Sequence, residues 1–317
     1  MPHVETEFLV PAADARRTLA AVLRRHLPGR SWNQVRRLVY SGRVVLNGEV
    51  WRDPARRLQR GDKVCVLLEP QPPAVGAESV PIVYCDEHLA VVEKPSGIRS
   101  QRHRSERRWR WSRRLLVPTM EELTALAIAR REGSRRAEPV YTVHRLDKDA
   151  SGLLVLARTP EAAQALVGQF ARHQVHRLYR AIVHGKPSPG TITTYLVRDR
   201  GDGLRGSCGT PGVGKRAVTH IVGVEVLGEA SLATCRLETG RTHQLRIHLS
   251  EAGHPVYGDT VYGPESGSMS TGVPRTRLAL HAAELGFAHP LTGQWHLWTS
   301  PLPGELVALV DALRRRG

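Results

Sequence analysis

The chain has 317 residues, and its 46 Lys and Arg against 30 Asp and Glu leave a net charge of +16, with an isoelectric point near 10.6. That balance excludes a binder of cationic partners and points to a polyanion, nucleic acid ahead of a membrane surface. No apolar run of about 18 residues exists, and Met1-Pro2-His3-Val4-Glu5 lacks the basic-then-apolar layout of a secretory signal, so a cytosolic protein is expected.

The length suits one large domain with a real core and one small domain. Cys65, Cys85, Cys208 and Cys235 are far apart and form no C-x-x-C pair, so they are read as reduced and structural.

At the N-terminus Asp14 is placed to cap a helix in which Ala15, Leu19, Val22, Leu23 and Leu27 fall at helical spacing, with Pro28-Gly29 as the break. Ser31 with Gln34 is a capping-box pair for a second helix that buries Val35, Leu38 and Val39, closed by Ser41-Gly42. The period then switches to two: Val44-Val45-Leu46 runs into the turn Asn47-Gly48, and Arg60-Gly61-Asp62 precedes the strand Lys63 to Leu67. Pro70-Gln71-Pro72-Pro73 is a stiff linker and sets the domain boundary at residues 70 and 71.

Beyond the linker, Ile82-Val83-Tyr84 and Leu89 to Val92 flank a hairpin turn and lead to Lys94-Pro95-Ser96-Gly97. Arg99, Arg102, Arg104, Arg107, Arg108, Arg110, Arg113 and Arg114 then crowd together with Trp109 and Trp111. Arginines clamp phosphates and tryptophans stack on bases, so this segment is read as an RNA-contacting loop. A helix is expected from Met120 to Arg131.

The densest polar cluster is His144-Arg145-Leu146-Asp147-Lys148-Asp149-Ala150-Ser151-Gly152, followed at once by the apolar run Leu153 to Ala157. A polar loop feeding a buried strand delivers side chains to the end of a rigid element. There Asp147, between Arg145 and Lys148, is a candidate nucleophile or base.

Pro160 and Glu161 open another helix, and Arg177 to Gly185 is a strand that puts Arg177, Tyr179, Ala181 and Val183 on one face. Gly209 to Arg216 imitates a phosphate-binding loop. Arg216 stands where Ser or Thr is required and a strand follows where a helix is needed, so ATP and GTP are not implied. Cys235 to Leu249 is the second polar cluster; His243, His248 and His254 lack H-x-x-x-H spacing and a carboxylate pair, so no metal is expected. The last helix, Glu305 to Arg316, turns Leu306, Leu309, Val310 and Leu313 to one side.

Two resemblances organise these observations. Residues 14 to 68, with Gly42-Arg43-Val44, Asn47-Gly48 and Gly61-Asp62, resemble the S4 RNA-binding domain, although Arg17-Thr18 stand where that family usually has Leu-Asp. His144-Arg145-Leu146-Asp147 followed by Ser151-Gly152-Leu153 resembles the signature loop of the RluA-type pseudouridine synthases. The spacing of Arg177, Tyr179, Ala181 and Gly185 and the run Gly240 to Leu249 are similar to that family's second and third motifs.

The resemblance implies an α+β fold: a pseudouridine synthase catalytic domain over 71–317 with a mixed, largely antiparallel sheet, and a small S4-like α/β domain over 1–70. It implies Asp147 as the catalytic residue and Arg145 in the stack vacated by a flipped base. Tyr179 would stack on the uracil, Leu245 would pack on its other side, and Arg246 would pair with Asp147. The implied isomerisation involves no net redox change, so neither cofactor nor metal is expected. The implied partner is structured RNA, with large-subunit ribosomal RNA favoured; a tRNA-directed synthase and a noncatalytic RNA-binding or ribosome-assembly factor are the alternatives. A monomer away from membranes is expected.

Overall fold

The computed structural model describes residues 4–71, 76, 79–110, 114–115, 117–208, 210, 212–263 and 277–316. The chain divides into two units, residues 1–76 with 103–118, and residues 77–102 with 119–317.

The first unit contains β1 (Val4–Leu9), α1 (Leu19–His26), α2 (Trp32–Tyr40), β2 (Val44–Leu46), β3 (Glu49–Val50) and β4 (Lys63–Leu67). Its antiparallel sheet has the order β1-β4-β2-β3. Val22, Leu23, Val35, Leu38 and Val39 from the helices close a core with Val44, Leu46, Val64 and Val66 from the strands. The capping box of Ser31 and Gln34 is formed. The cap of α1 is Thr18, whose Oγ1 accepts from the Ala21 N–H at 3.3 Å. Asp14 instead sits buried in the preceding 3-10 turn, accepting from Arg25 at 2.8 Å and pairing with the His26 ring at 3.2 Å. A carboxylate can cap only from the residue directly before the first turn, and the intervening residues carry Asp14 past that point to the basic end of the helix. Strand β1 has no counterpart in the sequence reading, because it is an edge strand with no buried residue to create an apolar alternation.

Residues 103–118 group with this first unit rather than with the domain in which the 70/71 boundary puts them. The Trp109 ring meets Tyr40 of α2 edge-on, with centroids 5.2 Å apart. Trp109 therefore has an aromatic packing partner within the protein, which the reading of this segment as an RNA-contacting loop did not foresee. Arg102 is also not a phosphate clamp: it is buried, and its Nε and Nη2 each lie 3.0 Å from a Glu122 carboxylate oxygen. Trp111, Arg113, and Pro72 and Pro73 of the linker lie outside the described residues.

The second unit is built on β5 (Ile82–Cys85), β6 (Leu89–Lys94), β7 (Tyr141–Thr142), β8 (Ser151–Ala157), β9 (His176–His184), β10 (Gly190–Val197), β11 (Gly206–Ser207), β12 (Lys215–Leu227), β13 (Ala230–Leu237), β14 (Leu280–Ala288) and β15 (Trp295–Thr299). Its helices are α3 (Met120–Arg131), α4 (Pro160–Ala171), α5 (Gln244–Glu251) and α6 (Gly304–Arg314). All these strands belong to one 11-stranded sheet with the path β11-β10-β12-β13-β9-β14-β8-β6-β5, while β15 pairs with β14 and β7 with β8. Among the described pairings between these strands only β14 with β8 is parallel, so the sheet is mixed and largely antiparallel. No helix among the described residues is long and apolar enough to cross a membrane.

Strand β8 is central, and all of its residues are buried. Leu153 and Val155 join Leu89 and Val91 of β6, Leu166 of α4 and Phe287 of β14 in one core. Where the polar loop enters β8, Gly152 has φ +112° and lies so close to β14 that a Cβ would fall on the Ala282 backbone, 2.6 Å from its nitrogen. Only glycine satisfies both conditions. Gly152→Ala is expected to destabilise the protein by at least about 2 kcal/mol, read as a lower urea midpoint at unchanged m-value. A wild-type midpoint would mean that the parallel pair moves apart without cost.

Candidate active site

The loop before β8 is held from behind by residues 94–100. Lys94 is fully buried, and its Nζ donates to the carbonyls of Pro95 at 2.9 Å, Lys148 at 2.9 Å and Ala150 at 2.6 Å. Burial pushes its pKa down to about 7, opposed by the charges of Asp149 and Asp147. Ser96 Oγ donates to the Asp149 carbonyl at 2.7 Å, and the Gly97 N–H donates to the Lys148 carbonyl at 2.9 Å. Ser100 Oγ accepts from the Leu146 N–H at 3.0 Å and donates to the Leu146 carbonyl at 2.9 Å. His144 fixes the other side: its Nε2 accepts from the Val155 N–H at 3.0 Å, and its ring stacks on Phe170 with centroids 4.6 Å apart. Burial, reinforced by the nearby Arg177 charge, pushes the His144 pKa down to about 3, so the ring is neutral and free to accept. The loop's carbonyls at Leu146, Lys148, Asp149 and Ala150 and its Leu146 N–H thus have fixed partners, none of which is the Asp147 side chain.

It points into a cavity of about 480 Å³. The loop residues Arg145, Leu146 and Asp147 line it together with Phe170 of α4, Arg177 and Tyr179 of β9, the turn 240–243, and Gln244, Leu245 and Arg246 at the start of α5. The turn is pinned by Gln244, whose Oε1 accepts from Thr239 Oγ1 at 2.7 Å and the Arg241 N–H at 3.0 Å, while its Nε2 donates to the Val218 carbonyl at 2.9 Å. His243 enters the helix with φ +59°, and its Nδ1 meets the Tyr262 hydroxyl at 3.0 Å. Its Nε2 is 4.0 Å from Asp147 Oδ1.

Arg246 comes to Asp147 as expected, with Nη1 3.4 Å from Oδ2. Its stronger partner is Asp259, which takes Nε at 2.7 Å and Nη2 at 2.8 Å in a two-pronged buried pair. Burial works to raise the Asp259 pKa, but the bonds and charge of Arg246 and the Tyr262 and Val261 N–H groups hold it below the usual carboxylate range. Burial likewise opposes the Arg246 charge, and Asp259 and then Asp147 more than reverse it, so its pKa rises. The guanidinium also lies 5.1 Å from the Tyr262 ring centroid. Asp259 thus orients the arginine that faces Asp147.

Tyr179 and Leu245 are both buried on the cavity wall, while Arg145 is exposed on its lining. Burial, with the Asp147 charge, raises the Tyr179 pKa against the opposing effect of Arg177, so the phenol stays protonated. All five residues singled out from the sequence therefore meet at one cavity. The sequence reading missed Asp259 and Tyr262 and left Lys94 without a role. One signal was available: Arg246 stands between Leu245 and Ile247, with Leu249 beyond, and an arginine drawn into the core with such neighbours needs an acid. His243, His248 and His254 are dispersed. His248 is held by Thr194 and Thr219, each at 2.9 Å, and His254 Nδ1 is 3.0 Å from the His184 carbonyl.

Residues 88–251, which contain most of this cavity, match the model of the RNA pseudouridylate synthase family. The chain belongs to that family. Residues 17–64 match the S4 domain. Among relatives of this pseudouridylate synthase family, the "Ribosomal large subunit pseudouridine synthase D" of Zymomonas mobilis subsp. mobilis is 38% identical over 291 residues, 89% of each chain. An uncharacterised RNA pseudouridine synthase of Bacillus subtilis is 36% identical over 300 residues, covering 90% of this chain and 91% of its own. The solved structure of human RNA pseudouridylate synthase domain containing 4 shares the fold, with a TM-score of 0.60 at 24% identity over 75% of this chain and 95% of that one.

Proposed function

We propose that the protein isomerises uridine to pseudouridine in large-subunit ribosomal RNA in the cytoplasm, with Asp147 as the catalytic residue. The observation that carries this reading is the Asp147 carboxylate, presented to a cavity large enough for one nucleoside, with the Arg246 guanidinium 3.4 Å away. A base stacked in a helix cannot reach such a cavity and must be flipped out. Arg145, exposed at the cavity, is suited to fill the vacated stack.

With the nucleotide seated, Asp147 attacks C1′ or removes the C2′ proton, and the C1′–N1 bond breaks. Tyr179 and Leu245 keep the detached uracil between them while it turns, C5 bonds to C1′, and the C5 proton is replaced by one at N1. Arg246 fixes the carboxylate's aim because Asp259 fixes Arg246. The ribosomal target is supported by the name of the Zymomonas mobilis relative and by the S4 match. The first unit's basic surface supplies phosphate contacts that position the RNA without reading its bases.

The test is a map of pseudouridines in total RNA from cells with the gene, without it, and with Asp147→Asn in its place. Loss of one or a few pseudouridines from large-subunit ribosomal RNA, restored by the wild-type gene alone, is expected. Loss confined to tRNA would move the target, and an unchanged map would overturn the reading.

A further inference from the structure

The cavity holds one buried charged group that no step above uses. Arg177 is 7% exposed and projects from the same face of β9 as Tyr179, both lining the cavity. Its Nη2 donates to the Glu238 carbonyl at 2.9 Å and lies 3.5 Å from that of Leu237. The guanidinium carbon is 5.6 Å from the Phe170 ring centroid. Its Nε is buried without a hydrogen-bond partner, and no carboxylate pairs with it among the described residues. Gly240, another lining residue, makes room for it: a Cβ there would stand 2.6 Å from Nη1. By contrast Arg102 and Arg246, equally buried, each have a two-pronged acid. A buried guanidinium with only carbonyl and ring partners is costly unless an anion arrives to meet it.

We propose that Arg177 is a catalytic residue that stabilises the uracil anion released when the glycosidic bond breaks. This rests on the synthase reading above. The charge balance is the same for either route open to Asp147. When C1′–N1 breaks, its electron pair stays on the base as uracilate, spread over N1 and the carbonyl oxygens. The Asp147 carboxylate meanwhile loses its charge, either into an ester at C1′ or by taking the C2′ proton. One negative charge therefore moves from Asp147, beside Arg246, to the base, and of the two buried lining arginines Arg177 is the one with no acid among the described residues. When C5 bonds to C1′ the charge returns to Asp147. A cation already in place and shielded from water lowers the barrier to cleavage without reorganising.

The experiment compares wild type, Arg177→Met, Arg177→Lys and Asp147→Asn in single turnover at saturating enzyme, on unmodified large-subunit ribosomal RNA transcripts made with uridine or with 5-fluorouridine. RNA affinity and thermal unfolding are measured for each variant. Fluorine withdraws electrons and makes the departing base a weaker, more stable anion, so cleavage depends less on Arg177. Conversion is read as loss of the original nucleoside at the target after nuclease digestion. Arg177→Met is expected to lose about a hundredfold on uridine and several-fold less on 5-fluorouridine, at near wild-type RNA affinity, with partial rescue in Arg177→Lys. An equal loss on both substrates in folded variants would make Arg177 structural and overturn the proposal. A loss of RNA affinity at unchanged saturated rate would make it a phosphate contact and overturn it too. If Asp147→Asn converts uridine like wild type, the synthase reading of the cavity falls, and the Arg177 assignment falls with it.

Discussion

Asp147→Asn is expected to lower the single-turnover rate of uridine conversion by at least about a thousandfold while leaving RNA affinity and folding close to wild type. The substitution keeps the shape and removes the charge that must reach C1′ or the C2′ proton. Little of the fold depends on that charge. The loop around it is held by Lys94, Ser96, Ser100 and His144 through backbone groups. Arg246 keeps its two bonds to Asp259 when Asp147 is neutralised. The stability change should therefore stay below about 1 kcal/mol. A residual rate within about tenfold of wild type would remove Asp147 from the catalytic role.

The second large effect is expected at a residue that does not face the base. Asp259→Asn leaves the Arg246 guanidinium buried, with only Asp147 at 3.4 Å to meet its charge. Breaking a buried pair from one side costs about 3–5 kcal/mol, which urea unfolding at neutral pH would read directly. Activity should fall as well, because an arginine freed from Asp259 can swing fully onto Asp147 and occupy the carboxylate. The pH dependence has a definite sign. The Asp259 pKa is depressed in the folded protein, so its contribution is complete above the unfolded aspartate value of about 3.9 and is lost as pH falls through the lower folded value. The stability gap between wild type and variant should therefore begin to close below about pH 4. A gap under about 1 kcal/mol at pH 7 would refute the assignment of Asp259 as the principal partner of Arg246. The double variant Arg246→Met, Asp259→Leu removes both charges and should recover most of the lost stability without recovering conversion. That contrast separates the pair's structural cost from its part in the reaction.

Much of this molecule is legible one segment at a time, because the signals are local. The Ser31 and Gln34 capping box, the Asn47-Gly48 turn, the limits of the helix Met120–Arg131 and the strand after the false phosphate loop depend on residues a few positions apart, and each forms as read. The five residues that line the cavity were also named in advance, Asp147 as a candidate from its place in a polar loop and all five through the resemblance to the family's motifs. Strand β1, the cap of α1 and the partner of Trp109 were not legible. An edge strand with no fully buried residue leaves no apolar alternation, a cap depends on where the chain turns, and an aromatic contact joins positions 40 and 109.

The site shows the same division. The sequence by itself determined which chemical groups are present: an aspartate in a loop, a tyrosine on a strand, and an arginine in a second polar cluster. Only the tertiary structure decided their partners. It gave Arg246 to Asp259 before Asp147, placed Lys94 under the carbonyls of Lys148 and Ala150, and left Arg177 against a ring and two carbonyls with no acid among the described residues. The physical reason is that burial makes the energy of a charge depend on which groups fill its few nearest ångströms. Those neighbours come from strands and turns distant in sequence, so no local pattern encodes them.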